Sequence, residues 1–278
     1  MWSSGDAWAF APLGRLLSDA GAVACVAQYT LYPAATVPTM VSEVGAAIEW
    51  VQRNAAQYGG DAARVSVVGH SAGAHLAACA VLARAHAASP LPPLHALVGM
   101  AGVYDVRRHY EYETHRGVNN ISTMEAAMEG KASFAAHSPA ALLARADPAV
   151  AHRLPPVVLM GSLADVTVPW EQGEELMAPL QALGVRVSHL VYKATTHVHF
   201  ATGWEYGTAH VHEAPLLGHA VAGPRGEALM AHAQDVVAIV TARVALANVP
   251  PRLRGRSAAP KATLARAAAP TMRRLAAR

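Results

Sequence analysis

The stretch Arg64-Val65-Ser66-Val67-Val68-Gly69-His70-Ser71-Ala72-Gly73-Ala74-His75-Leu76 narrows the fold of this chain more than any other. An apolar, β-branched run enters a Gly-x-Ser-x-Gly pentapeptide and passes directly into an alanine-rich segment, the order of strand, sharp turn and helix that makes a nucleophile elbow. Ser71 is thereby the candidate nucleophile. Gly69 and Gly73 are expected to let strand and helix pass closely, since a hydrogen side chain occupies no room there. The following helix directs its first N–H groups and positive dipole end at the oxygen that turns negative when a serine attacks a carbonyl. Ala72 is the candidate oxyanion-hole donor through its backbone N–H.

The flanking pattern extends this unit into a sheet. A helix is predicted over residues 8–21, with Trp8, Leu13, Leu16 and Leu17 apolar and Gly21 as its stop, followed by the nearly continuous apolar run 23–29, which reads as a strand covered on both faces. Val37, Met40, Val41, Val44, Ile48 and Val51 repeat at helical spacing up to Gly59-Gly60. Beyond the elbow, strands are predicted over 94–103, 157–161 and 185–192, with helices over 170–183 and 225–247. This alternation gives an α/β fold: a mostly parallel sheet with helices on both faces. A length of 278 residues suits one such domain, taken as 1–248. Residues 106–150 break the alternation and read as a segment covering the strand ends, where open α/β sheets bind ligands. Residues 249–278 are Ala-, Arg- and Pro-rich and are expected to form a disordered basic tail.

The net charge of +3 hides an asymmetry. The last thirty residues hold eight of the 22 basic residues and none of the 19 acidic ones, so the remainder carries 14 basic against 19 acidic side chains. That balance argues against nucleic acid as a partner of the folded part. Two cysteines, Cys25 and Cys79, imply no disulfide framework and are compatible with a reducing compartment. No apolar run reaches the ~20 residues that span a bilayer. With no signal-peptide pattern at the start, the cytoplasm or the periphery of an internal membrane is the expected location. No cofactor is implied. His197-x-His199 and His210-x-His212 are the nearest approach to a metal motif, and no Cys/His set at zinc spacing accompanies them.

A serine hydroxyl needs an imidazole to accept its proton and a carboxylate to orient that imidazole. Asp165 follows the predicted strand 157–161 and His197 follows the strand 185–192, so the order Ser, Asp, His matches that of α/β-hydrolases. Asp105, at another strand end, is the reserve acid. His199 is the alternative base. His75, one helical turn past Ser71, reads as a packed, hydrogen-bonded helix residue.

Several stretches resemble one branch of the α/β-hydrolases. Tyr58-Gly59-Gly60-Asp61, Gly69 through Ala78, Gly102-Val103-Tyr104-Asp105 and Thr196-His197 are similar to the isoprenylcysteine α-carbonyl methylesterase group, as is the run from His109 to Pro139. The similarity runs from residue 2 to about 245, with 202–222 looking like an insertion. It implies hydrolysis of a methyl ester on a prenylated cysteine, through Ser71, Asp165 and His197, on a small-molecule or prenyl-peptide substrate. Relatives carry a His-Gly-Gly type loop just before the segment that Trp2-Ser3-Ser4-Gly5 resembles, and its N–H groups supply a second oxyanion donor; the Trp2 backbone is the candidate helper here. The resemblance therefore implies a chain shortened at its N-terminus. It also implies a sheet without the interior strand that in the family lies between the 23–29 strand and the elbow strand, leaving two edges unpaired unless they close up. A general small-ester hydrolase, an arylformamidase-like amidase, and a catalytically impaired remnant that binds a lipidated ligand are the alternative functions.

Overall fold

The structure, a computed structural model, describes residues 2–204, 215–217, 230–241, 246 and 251–254. A 3-10 turn, Ala7–Phe10, leads into α1 (Ala11–Asp19), and α2 (Val37–Asn54) follows. Then come β1 (Ser66–His70), α3 (Ala72–His86) and β2 (Ala96–Met100). Three short helices, α4 (Val106–His115), α5 (Met124–Ala127) and α6 (Pro139–Leu143), fill the next connection. The chain continues through β3 (Val157–Ser162), α7 (Glu171–Ala182), β4 (Val187–Tyr192), α8 (His197–Thr202), α9 (Ala231–Val240) and β5 (Arg252–Arg254). The five strands form one parallel sheet in sequential order.

Every residue of β2, β3 and β4 is buried, which is why β2 and most of β3 read as apolar runs, while β4 also buries Ser188 and His189. Their side chains alternate between two cores. Val98, Met100, Val158, Met160, Leu190 and Tyr192 face α1 and α9, while Leu97, Val157, Leu159 and Val187 face α2, α3, α6 and α7. A third cluster caps the C-terminal strand ends: Val106, Met124, Met128 and Phe134 of the covering segment pack with Trp2, Ala72 and Leu76. Residues 106–134 thus supply a packed layer at the elbow, whereas Ala140 and Leu143 of α6 join the second core.

Residues 23–29 depart from the expectation. They form no strand, and Val23 and Val26 are 53% and 37% exposed. The two flanking elements do not close up: among the described residues β1 pairs with β2 alone and is an edge of the sheet. An apolar composition makes a strand only when a neighbour accepts its ladder of hydrogen bonds, and no described strand does so here. The tail reading is also revised at its start, because Arg252–Arg254 pair with β4 as β5. Residues 255–278 lie outside the described residues, as do 225–229 and most of 202–224, His210 and His212 included.

Candidate active site

β1 ends at His70, and Ser71 takes φ 53° and ψ −121° before α3 begins at Ala72. A non-glycine residue at positive φ is strained and survives only where its surroundings fix it. Here Ser71 N–H bonds the Met100 carbonyl at 2.9 Å, extending the β1–β2 ladder one residue into the turn. Gly69 makes the approach possible: a Cβ there would lie 2.6 Å from the Gly73 carbonyl oxygen and 2.7 Å from Ala74 Cα. Gly73 is different, since a Cβ on it would meet nothing within 4 Å, so close passage rests on Gly69 alone. Ala72 is the first residue of α3, where an N–H has no acceptor within the helix.

The two other groups arrive from interior strands. Asp165 lies just past β3, its side chain fully buried, and Oδ1 accepts the N–H groups of Thr167 and Val168 at 2.8 and 2.9 Å. The turn locks the carboxylate and leaves Oδ2 to accept from His197 Nδ1 at 2.8 Å. His197 opens α8, and its Nε2 stands 3.0 Å from Ser71 Oγ. The Nδ1–H donated to Asp165 leaves the Nε2 lone pair facing the serine hydroxyl.

The choice between histidines follows from a cap. Thr196 precedes α8 and accepts the His199 N–H at 3.4 Å, while His199 Nδ1 accepts the Thr196 N–H at 3.3 Å. That capping box turns the His199 ring back on its own helix start. Asp105 is committed to a cap as well, its Oδ1 accepting the Arg108 N–H at the start of α4. Of the sequence-proposed groups, the structure joins Ser71, Asp165 and His197 and leaves Asp105 and His199 outside that chain of hydrogen bonds.

Two further histidines border the serine. The His70 ring lies 4.7 Å, centroid to centroid, from the His197 ring, and burial first, then the neighbouring His197, lowers its pKa to about 3. It is therefore a neutral wall for the His197 ring. As a variable position of the pentapeptide, His70 gave no signal in the sequence. His75 is buried and likewise neutral, its pKa lowered to about 4 by desolvation. A broad open cleft of about 780 Å³ lies along Ser3, Tyr29, Tyr32 and Glu43, and neither Ser71, Asp165 nor His197 lines it. Among the described residues no group of three or more His, Cys, Asp and Glu side chains is placed to hold a metal ion, and no helix is long and apolar enough to cross a membrane.

A parallel sheet carrying a serine at a strand-to-helix turn, with acid and base after later strands, defines the α/β-hydrolase class. A family profile for the alpha/beta hydrolase fold matches residues 2–201, and the chain belongs to that family. Among curated proteins it is similar to a probable isoprenylcysteine alpha-carbonyl methylesterase of Oryza sativa subsp. japonica, 31% identical over 198 residues. That match covers 69% of this chain and 47% of the rice protein. The isoprenylcysteine alpha-carbonyl methylesterase of Arabidopsis thaliana is 30% identical over 195 residues, covering 66% and 45%. The chain thus spans about half the length of the curated relatives it matches. Among solved structures, carboxyl esterase 2 from Tuber melanosporum superposes with a TM-score of 0.57 at 21% identity, covering 72% of this chain and 67% of the other, a likeness of fold.

Proposed function

We propose that this chain is a serine carboxylic-ester hydrolase. The observation that carries the reading is the unbroken hydrogen-bond chain from Ser71 Oγ through His197 to Asp165. His197 Nε2 takes the hydroxyl proton as Ser71 Oγ attacks the ester carbonyl, and Asp165 holds the ring in orientation and stabilises the imidazolium. The oxyanion is held by the Ala72 N–H, with the Trp2 backbone as a second donor. His197 then gives its proton to the departing alkoxide, leaving an acyl-serine, which water hydrolyses with His197 again accepting a proton.

The finer reading is demethylation of prenylated cysteine methyl esters, releasing methanol and the free carboxylate. Its support is the similarity to the rice and Arabidopsis methylesterases, which covers 69% and 66% of this chain and is therefore not confined to the elbow. The test pairs a fluorophosphonate probe with two substrates. Wild-type protein should be labelled and Ser71→Ala should not, and methanol release from a prenylcysteine methyl ester should exceed hydrolysis of a short aryl ester. Faster turnover of the aryl ester would favour a general esterase. Folded wild-type protein that takes up no probe would sink the enzyme reading in favour of a non-catalytic binding protein.

A further inference from the structure

The N-terminal arm is held beside the elbow by bonds that the proposed chemistry has not yet used. The Trp2 side chain is 2% exposed and packs with Ala72 and Leu76. Its indole Nε1–H donates to His75 Nδ1 at 3.1 Å, with the two rings edge-on at 5.3 Å between centroids. Indole is only a donor, so Nδ1 must be the unprotonated nitrogen; Nε2 carries the hydrogen and donates it to the His137 carbonyl at 2.7 Å. Both ring nitrogens of a fully buried imidazole are thus committed, one to the arm and one to the covering segment. His75 itself is anchored to the elbow, because its backbone N–H bonds the Ser71 carbonyl at 3.1 Å. Two further ties complete the hold: Tyr32 N–H bonds the Trp2 carbonyl at 3.0 Å, and Thr123 Oγ1 donates to Ser3 Oγ at 3.1 Å.

We propose that His75 is a positioning residue which, through the Trp2 indole, fixes the backbone of the N-terminal arm against the start of α3 so that it meets the oxyanion formed at Ser71. The catalytic consequence rests on the esterase reading, whereas the lock itself does not. The geometry also explains why an imidazole suits this place. It offers an acceptor and a donor on opposite sides of one rigid ring, reaching two separate segments at once. A misplacement of about 1 Å in a catalytic arrangement costs roughly 10²-fold in rate, so a loosened arm should be visible in turnover.

Two substitutions separate the halves of the ring. His75→Asn places an amide near Nδ1 and keeps an acceptor for the indole; His75→Gln reaches toward the His137 carbonyl and loses that acceptor. The full chain is assayed with a short aryl ester, and the Trp2 indole N–H is followed by ¹H–¹⁵N NMR, with Trp2→Phe identifying the resonance. His75→Gln is expected to shift the indole resonance and lower kcat by about 10- to 100-fold with KM within about twofold. His75→Asn should keep the resonance and restore kcat to within about threefold of wild type. Trp2→Phe should match His75→Gln, and combining them should add no further loss. An unshifted indole resonance in His75→Gln overturns the lock, and so does a double variant whose losses multiply. A shifted resonance with unchanged kcat overturns the positioning role. If His75→Gln does not fold, the Trp2→Phe and His75→Asn pair makes the same decision. A wild-type protein with no ester turnover defeats the esterase reading and the positioning role together, while the indole resonance still decides the lock separately.

Discussion

β3 and β4 are buried along their whole length and hydrogen-bonded to a strand on each side, whereas β1, which delivers Ser71, has β2 alone as its ladder partner among the described residues. The acid and the base therefore come from the part of the sheet where position is over-determined. The nucleophile comes from an edge strand whose residues, Gly69 apart, are only partly buried. Its position relies on contacts outside the ladder: the close passage of α3, the His70 ring against His197, and the arm locked through Trp2. A site can thus be assembled from one rigid and one locally braced flank, provided the strained residue itself is bonded to the interior, as Ser71 is to Met100.

The largest expected effect tests whether the interior flank supplies the acid. Asp165→Asn should lower kcat by about 10⁴-fold, because an amide leaves the imidazole in the wrong tautomer. Asp105→Asn should stay within about twofold, since asparagine caps a helix as well as aspartate. Comparable losses in the two variants would remove Asp165 from its place in the mechanism.

Truncations compare the flanks directly. Leu159→Ala, at 1% exposure in β3, should cost about 2–5 kcal/mol in urea unfolding, and Val23→Ala should stay within about 0.5 kcal/mol. A large loss at Val23 would mean that the 23–29 run is buried in solution after all.

Acid should weaken the β1 flank through the buried His75, whose backbone N–H is bonded to the Ser71 carbonyl. His75 stays neutral in the fold with a pKa lowered to about 4, against 6.5 when unfolded. The unfolded chain therefore binds the extra proton first, so this contribution is complete above pH 6.5 and is lost as pH falls toward 4. The loss is about 3 kcal/mol by pH 4. Urea midpoints at pH 7 and pH 4 should converge in His75→Asn by that share, and an unchanged difference would show that His75 is solvated.

The smallest effects probe the elbow. Gly69→Ala should cost about 1–3 kcal/mol by forcing β1 and α3 apart, while Gly73→Ala should leave the melting temperature unchanged or slightly raised. Equal destabilisation would return Gly73 to the role the pentapeptide suggests for it.

Much of this was legible in the chain. The strand-elbow-helix unit at 64–76 and the apolar runs of β2 and β3 follow from local pattern, because interior parallel strands are mostly apolar on both faces. Strand ends narrowed the partners of Ser71 to Asp165, with Asp105 in reserve, and to His197 or His199. The run 23–29 misled for the same reason: its composition is that of a buried strand, but composition records a preference and not the presence of a partner. Arg252–Arg254 misled in the opposite direction, lying in a stretch too basic and too poor in large apolar residues to announce an edge strand.

By itself, then, the sequence determined the type of fold, the serine and its turn, and a short set of acids and bases. Only the tertiary structure decided among them. It spent Asp105 on α4 and His199 on a capping box, freed Gly73 from the close approach, left β1 with one ladder partner among the described residues, and gave His75 two partners distant in the chain. Local pattern fixes backbone preference and burial within a few residues, whereas a hydrogen bond between Ser71 and His197, or between Trp2 and His75, depends on where separate elements come to rest.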